Sequence, residues 1–151
     1  MVESDQLFEV HKNLFIGGYW PKLNFNAIKK VGITAIVNLM EKNLYDPRPE
    51  GYAYLHKGFP DDWYLSHDFL EEILNFIEKH IMDGKVLVHC ERGVSRSGGI
   101  VVAWLLRKNP DWSWNDALEY VGKSRLVFPS VEIKESIIDY FESIEGFRRD
   151  F

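Results

Sequence analysis

The strongest constraint on the fold is a stretch near the middle of the chain in which a strand pattern passes through a polar loop into a helix pattern. Residues 85–89 are rich in valine and leucine and predict a buried central strand. Residues 100–108 predict a buried helix that stops before Pro110, because proline does not continue a helix. A buried strand that leads through a short loop into a helix indicates the repeating unit of an α/β protein.

The rest of the chain repeats this alternation of strand and helix signals. Strand signals lie at residues 14–16, 34–39 and 52–56, and helix signals lie at residues 24–30, at 66–84 and in two amphipathic stretches that begin at Ser113 and Ser130. Gly84 is expected to end the helix that Ser66 begins. Strands separated by helices predict an α/β domain whose ligand site lies at the carboxyl ends of the strands.

Length and charge limit the number of domains and the kind of partner. The chain has 151 residues, of which 46% are hydrophobic and 27% charged, so we expect one domain that spans residues 1–151. Eighteen basic residues against 23 acidic ones give a net charge of −5. This balance disfavours a broad nucleic-acid-binding surface, so no nucleic-acid partner is expected and any bound anion should occupy a local pocket.

Cysteine content and hydropathy indicate the compartment. Cys90 is the single cysteine, so the chain forms no internal disulfide and no all-cysteine metal site. No run approaches the roughly 18 consecutive apolar residues of a membrane span, and the acidic residues 1–5 lack the basic and apolar regions of a signal peptide. We therefore expect a cytoplasmic protein with no membrane partner.

The loop between the central strand and the following helix has the features of a phosphate site. A tight loop at this position turns successive backbone N–H groups inward, and the helix N-terminus adds about half a positive charge. The predicted phosphate-binding residues are Glu91, Arg92, Gly93, Val94, Ser95 and Arg96.

Four side chains in this segment carry the predicted chemistry. Cys90 lies at the mouth of the loop, where the positive field favours the thiolate, the nucleophilic form. Arg96 is placed to offer a two-pronged donor to phosphoryl oxygens, a geometry that lysine does not reproduce. Ser97 can donate a hydrogen bond to the sulfur when a phosphocysteine is hydrolysed, and His89 is expected to fix the loop through backbone hydrogen bonds.

The pattern His-Cys-x₂-Gly-x₂-Arg-Ser, preceded by Val-Leu-Val, resembles the signature of cysteine-dependent protein tyrosine phosphatases. Its Gly-Val-Ser-Arg-Ser-Gly portion is most similar to the dual-specificity branch, and the resemblance covers roughly residues 8–144, the expected domain core. It implies a central, mostly parallel sheet flanked by helices. It also implies hydrolysis of phosphotyrosine and of phosphoserine or phosphothreonine on phosphoprotein substrates, through a cysteinyl phosphate and with no metal or organic cofactor.

The resemblance also implies an aspartate that protonates the leaving group, in the loop before the helix that Ser66 begins. Asp61 and Asp62 are the candidates, and we prefer Asp61 because the family's Asp-His-Trp and Pro-Asp patterns both align with it. The alternative is a solvated turn in which neither aspartate acts. Pro129-Ser130 stands where relatives often have Pro-Asn, so the residue that positions the hydrolytic water is left open.

Three other functions compete with this prediction. A similar loop serves phosphatases of phosphoinositides and of RNA 5′ phosphates, although the loop residues here match neither pattern. A catalytically silent phosphoprotein-binding domain is disfavoured because the cysteine, the arginine and the acid are all present. Metal-dependent hydrolysis would use Asp61, Asp62, His67 and Asp68, but no ligand geometry is evident in their spacing.

Several residues allow two interpretations each. Tyr45, in a loop expected at the pocket edge, either stacks on a phosphotyrosine ring or anchors its own loop. Gly98-Gly99 is either incidental or allows close approach to the catalytic loop, and Arg92 is either a solvated charge or a bias toward acidic substrates. Residues 147–151 are a frayed terminus or a docking segment. The physiological substrate and the oligomeric state are left open.

Overall fold

The computed structural model describes residues 7–19 and 22–144. Its strands are β1 (Leu7–His11), β2 (Leu14–Gly18), β3 (Ala35–Asn38), β4 (Ala53–His56) and β5 (Val86–Cys90). Its helices are α1 (Phe25–Val31), α2 (His67–Ile81), α3 (Arg96–Lys108), α4 (Trp114–Gly122) and α5 (Val131–Glu142), with a turn of 3-10 helix at Arg48–Glu50. The acidic residues 1–5 and the terminal residues 147–151, for which expectations are given above, lie outside the described ranges.

β5 lies at the centre of the sheet. In the described residues the strand order is β1-β2-β5-β3-β4, and β5 pairs in parallel with β2 on one side and with β3 on the other. β4 is parallel to β3, whereas β1 is antiparallel to β2. This arrangement confirms the predicted fold class, an α/β protein with a central, mostly parallel sheet. The end of β5 is consequently enclosed by neighbouring strands.

Alternating residues of β5 face two separate cores. Val86, Val88 and Cys90 belong to the larger core, which helices α2 to α5 complete. Leu87 belongs to a smaller core on the α1 face of the sheet. Because side chains alternate along a strand, His89 lies on the Leu87 face, among aromatic rings, while the neighbouring Cys90 lies on the opposite face.

Short polar side chains begin most of the helices. Ser66, Ser113 and Ser130 each accept a hydrogen bond from a backbone N–H in the first turn of α2, α4 and α5, as predicted. Asn24 does the same for α1. Such a cap stabilises a helix by about 1 kcal/mol, because the first N–H groups otherwise have no partner within the helix.

Three features differ from the sequence prediction. No strand is predicted before residue 14, yet β1 forms a hairpin with β2 in which Asn13 adopts a left-handed φ of 65°. α3 begins at Arg96 rather than Ile100, because burial of the small residues that follow Arg96 outweighs the poor helix propensity of glycine. α2 ends at Ile81, and Gly84 instead allows close packing, since a Cβ there would lie 2.1 Å from Thr34 Oγ1.

No helix within residues 7–19 and 22–144 combines the length and the apolar character that crossing a membrane requires.

Candidate active site

Cys90 ends the central strand and lies at the edge where the parallel strands terminate. Its side chain is 2% exposed. The chain that follows β2 supports it, because the Tyr19 N–H donates to the carbonyl of Cys90 at 3.0 Å and to that of Glu91 at 2.9 Å. These hydrogen bonds fix the point at which the backbone leaves the sheet and begins the loop of residues 91–96, which we call the phosphate loop.

Gly93 is the residue that lets the phosphate loop close around the sulfur. Its φ is +71°, a left-handed value that favours glycine, and a Cβ at this position would lie 2.7 Å from the carbonyl oxygen of Gly17. The Gly93 N–H donates to Cys90 Sγ over 3.2 Å. A larger residue would therefore have to move both the loop and the end of β2.

Ser97 is the second polar contact of the sulfur. Its hydroxyl oxygen lies 3.2 Å from Cys90 Sγ, and the side chain is fully buried in the first turn of α3. A buried hydroxyl and a backbone N–H against the same sulfur are the partners that a thiolate needs, since a buried charge is costly without hydrogen bonds. The contact predicted between Ser97 and the cysteine is present.

The N-terminus of α3 is open toward the phosphate loop. Ser95 occupies its N-cap position but makes no side-chain cap, in contrast to the capped starts of α1, α2, α4 and α5. The Ser95 hydroxyl instead accepts a hydrogen bond from the Ser130 N–H at 3.0 Å. The first backbone N–H groups of this 13-residue helix therefore have no capping side chain, and an anion at the site can accept their hydrogen bonds.

Arg96 joins the phosphate loop to the segment that contains the candidate acids. Its Nη1 donates to the Phe59 carbonyl at 3.0 Å. Phe59 itself is buried, so residues 59–64, which we call the acid loop, are anchored at their first residue. The side chains of Asp61 and Asp62 are exposed, and the Asp61 carbonyl accepts a hydrogen bond from Ser130 Oγ at 2.7 Å.

His89 supports the loop from the other face of the sheet. Its Nδ1 lies 3.2 Å from the Cys90 carbonyl and its Nε2 lies 2.5 Å from the Tyr45 hydroxyl. Burial lowers the pKa of His89 to about 4, with a smaller lowering from the charge of Arg96. A neutral ring must therefore donate through Nδ1 and accept at Nε2, which agrees with the predicted orienting role.

Tyr45 anchors its own loop. Besides its bond to His89, its ring stacks on Tyr19 with centroids 6.0 Å apart and meets Phe25 edge-on at 5.8 Å. Burial and the neighbouring Tyr54 raise the pKa of the Tyr45 hydroxyl far above its ordinary value, so the group stays protonated and donates. Of the two interpretations of Tyr45, the structure favours the anchor over a stacking surface for substrate.

The two glycines that follow the phosphate loop allow close packing, but not against the loop itself. A Cβ on Gly98 would lie 2.7 Å from Val127 Cβ, and a Cβ on Gly99 would lie 2.5 Å from Ile133 Cγ2. The glycines therefore bring α3 against α5 and the segment before it. That segment also supports the loop directly, since the Phe128 N–H donates to the Val94 carbonyl at 3.0 Å.

The side chains of the remaining candidates are exposed. Glu91 and Arg92 are exposed at the rim of the loop, so Arg92 is a solvated charge in this structure. Among residues 7–19 and 22–144, no group of three or more His, Cys, Asp or Glu side chains is arranged to hold a metal ion. The acidic cluster that includes His67 and Asp68 therefore does not form the metal site considered above.

The sequence does not indicate the partners of Arg96, His89 and Asp61 in the resting protein. Phe59 contributes a backbone carbonyl, which no residue type specifies, and Tyr45 lies 44 positions before the histidine it binds. Ser130 is recognisable in the sequence as a helix cap, but its contact with Asp61 spans 69 positions. Only the folded arrangement of β5, α3 and α5 brings these groups together.

The cysteine is buried between a central parallel strand and an uncapped helix N-terminus, with a backbone N–H and a hydroxyl next to its sulfur. This arrangement defines an α/β protein with an anion site at a cysteine. The model of the dual specificity phosphatase catalytic domain matches residues 14–143. The chain belongs to this family, as its sequence motif predicts.

Similar proteins support the assignment to this family. Over 148 residues, or 95% of this chain, it is 28% identical to protein phosphatase Slingshot of Drosophila melanogaster, of which it covers 14%. It is 30% identical to dual specificity protein phosphatase 1B of Arabidopsis thaliana, over 93% of this chain and 84% of that protein. The chain spans 36% or less of the five relatives that include Slingshot and human dual specificity protein phosphatase 9.

Solved structures share the fold. The active form of Tk-PTP superposes with a TM-score of 0.79 at 27% identity, covering 93% of this chain and 99% of that one. A mouse protein of the dual specificity phosphatase class, complexed with zinc tungstate, has a TM-score of 0.81 at 25% identity, covering 97% of this chain and 92% of that one.

Proposed function

We propose that this protein is a phosphatase that hydrolyses phosphotyrosine and phosphoserine or phosphothreonine in proteins, through a phosphoenzyme on Cys90. The observation that carries the proposal is the environment of the sulfur. The Gly93 N–H and the Ser97 hydroxyl both lie 3.2 Å from Sγ, next to a helix N-terminus that no side chain caps. This environment offers hydrogen-bond donors to the sulfur and to an oxyanion at adjacent positions.

The phosphate loop would bind the phosphoryl oxygens of the substrate. The backbone N–H groups that would contribute belong to Glu91, Arg92, Gly93, Val94, Ser95 and Arg96. The Arg96 guanidinium adds two parallel donors once the substrate draws it toward the loop. The mouse relative that was crystallised with zinc tungstate supports this assignment, because tungstate is a tetrahedral oxyanion like phosphate.

The reaction has two balanced steps. In the first, the Cys90 thiolate attacks phosphorus, the S–P bond forms, the P–O bond to the substrate breaks and Asp61 donates its proton to the departing oxygen. In the second, the Asp61 carboxylate takes a proton from water as the water oxygen bonds to phosphorus. The S–P bond then breaks, Ser97 hydrogen-bonds to the departing thiolate, and inorganic phosphate is released.

The geometry supports Asp61 over Asp62 as the acid. Both side chains are exposed, but the backbone of Asp61 is held directly by Ser130 Oγ at 2.7 Å, so its Cα has a fixed position relative to the phosphate loop. A proton donor needs such a position, since proton transfer requires hydrogen-bond distance to the leaving oxygen.

Asp61→Asn tests this choice, with Asp62→Asn as its matched control. We expect Asp61→Asn to lower kcat/KM on phenyl phosphate by roughly 10² to 10⁴-fold and to have a much smaller effect on dinitrophenyl phosphate, whose leaving group needs no proton, because kcat/KM covers only the steps up to the phosphoenzyme. Asp62→Asn should leave both rates close to those of the native chain. The reverse pattern would assign the acid to Asp62.

The central experiment traps the phosphoenzyme. Native protein that is acid-quenched during turnover of a radiolabelled phosphotyrosine peptide should carry label on Cys90, whereas Cys90→Ser should be inactive and unlabelled. A panel of phosphopeptides, phosphoinositides and RNA with a 5′ triphosphate then defines the substrate class. Phosphopeptides turned over more slowly than lipid or RNA would overturn the proposed substrate class but not the phosphoenzyme.

Three wider assignments belong to the same proposal. We propose that residues 8–144 act as one catalytic unit, since the elements that support the phosphate loop extend from β2 to the start of α5. We also propose phosphoprotein partners and a cytoplasmic location, because a reactive thiol without a second cysteine needs reducing surroundings to stay active. Fluorescence microscopy of the tagged chain checks the location.

A further inference from the structure

The acid loop is tied to the rest of the protein through backbone carbonyls and through the Tyr64 side chain. The carbonyl of Phe59 accepts from Arg96 Nη1 at 3.0 Å, and the carbonyl of Asp61 accepts from Ser130 Oγ at 2.7 Å. At the far end of the loop, the Tyr64 hydroxyl donates to the Asp139 carboxylate on α5. Bonds to the backbone fix the path of the loop and leave the Asp61 carboxylate unrestrained.

Ser130 connects this loop to the phosphate loop. Its N–H donates to Ser95 Oγ at 3.0 Å, and its hydroxyl donates to the Asp61 carbonyl. The same hydroxyl oxygen accepts from the Ile133 N–H at 3.3 Å, which caps α5. A serine hydroxyl can donate only one hydrogen bond, and here the Asp61 carbonyl of the acid loop accepts it.

We infer that Ser130 is a positioning residue for the proton transfer, and this inference rests on the proposed phosphatase activity. By holding the Asp61 carbonyl and the Ser95 hydroxyl at the same time, Ser130 sets the distance between the acid and the bound phosphoryl group. A misplacement of about 1 Å in such a constellation lowers a rate by as much as 10²-fold. Ser130 acts through Asp61 and does not touch the reacting atoms.

A role through the acid has a signature that a purely structural role lacks. Protonation of the leaving group is needed most when that group is basic, so a displaced acid slows phenyl phosphate far more than dinitrophenyl phosphate. Loss of a helix cap alone would lower the amount of folded enzyme, and the rates on both substrates would then fall together.

The test compares kcat/KM, which covers only the steps up to the phosphoenzyme, on these two substrates for Ser130→Ala, Ser130→Thr and Ser113→Ala. We expect Ser130→Ala to slow phenyl phosphate by about 10-fold and dinitrophenyl phosphate by less than about 2-fold. Ser130→Thr keeps the hydroxyl and should restore the phenyl phosphate rate. Ser113→Ala removes the cap of α4, outside the acid loop, and should leave the ratio of the two rates unchanged. Should Ser130→Ala not fold, Ser130→Gly replaces it, because glycine is tolerated at an N-cap.

Two further comparisons make the result decisive. In the double variant Asp61→Asn with Ser130→Ala, the added loss from Ser130→Ala should vanish, since the group it positions is already gone. Equal loss on both substrates, or no loss, would overturn the inference while the native enzyme remained active. A native protein inactive on both substrates would instead refute the proposed function.

Discussion

His89 and Cys90 are adjacent in the chain but face opposite sides of the sheet, so the proposed nucleophile and its support can be adjusted independently. Cys90 faces the larger core and the phosphate loop, while His89 faces the aromatic cluster around Tyr45. Both ring nitrogens of the histidine have partners, and the ring is fully buried. At the scale of single residues, a fixed neutral imidazole beneath the loop keeps the Cys90 carbonyl, and hence the start of the loop, in one position.

The neutral state of His89 makes the stability of the protein depend on pH. Burial lowers its pKa from 6.5 to about 4, so between these values the unfolded chain binds a proton that the folded chain does not. Stability attributable to His89 is therefore intact above pH 6.5 and falls as the pH decreases toward 4, by about 3 kcal/mol in total.

NMR of the histidine ring nitrogens, assigned with a His89→Asn sample, should find the His89 ring neutral at pH 5. Urea unfolding between pH 7 and 4.5 should show the accompanying loss of stability. Titration of this ring near pH 6.5 would contradict the prediction.

Tyr45→Phe tests the bond that holds this ring. Loss of the hydroxyl leaves the buried Nε2 of His89, an acceptor, without its hydrogen-bond donor, which should cost about 1–2 kcal/mol of unfolding free energy in urea titrations at pH 7. Tyr52→Phe is the matched control, because it removes a hydroxyl from the same aromatic cluster, and we expect a change below about 0.5 kcal/mol. Equal effects of the two changes would show that the Tyr45–His89 bond contributes no stability of its own.

At the scale of secondary-structure elements, the sequence predicts the helices and strands that have a regular hydrophobic pattern. It does not predict the elements and boundaries that depend on packing between distant segments. β5, α2 and the serine caps follow from local patterns alone. β1 is a five-residue edge strand whose antiparallel partner, rather than its composition, stabilises it. The early start of α3 at Arg96 depends on Val127 and Ile133, which pack on the glycines from distant segments.

The same limit applies to the site. Cys90, Gly93 and Ser97 belong to one short motif, so the contacts of Gly93 and Ser97 with the sulfur follow from local sequence. The contacts between segments do not. Ser130 meets Asp61 across 69 positions, and any short polar residue would serve as well for capping a helix. The residue types that can form such hydrogen bonds are evident from the sequence. Which carbonyl accepts a hydrogen bond from a given hydroxyl depends on the fold.

Gly99→Ala tests whether close helix packing explains the glycine pair. The new Cβ would lie 2.5 Å from Ile133 Cγ2, a stiff, β-branched neighbour, so we expect a net destabilisation of about 1–3 kcal/mol in urea unfolding. Gly122→Ala is the control, because the nearest atom to its Cβ is 3.7 Å away and alanine favours a helix, giving no loss or a gain of up to about 1 kcal/mol. Equal shifts for the two variants would mean that α3 and α5 do not require the close approach.

At the scale of the whole molecule, a chain of net charge −5 is proposed to bind a dianion. Net charge sets the distant field, whereas donors within a few ångströms set the energy of a partly buried anion. The donors in question are backbone amides, which contribute nothing to the formal charge, together with Arg96. An acidic protein can consequently bind phosphate at one loop while repelling polyanions such as nucleic acid over the rest of its surface.

Because the donors are concentrated in the phosphate loop, we expect a bound oxyanion to stabilise the entire fold and Arg96 to supply most of this stabilisation. At tungstate concentrations about 100 times its dissociation constant, the native state gains about 2.7 kcal/mol, which raises the Tm by about 5–10 °C for a chain of this size. Arg96→Ala should lose most of that rise. Lys79→Ala removes the same formal charge from an exposed position on α2 and should keep it. Calorimetry of the three proteins, with and without sodium tungstate, measures the effect. If tungstate raised the Tm of Arg96→Ala as much as that of the native chain, the Arg96 guanidinium would contribute nothing to anion binding.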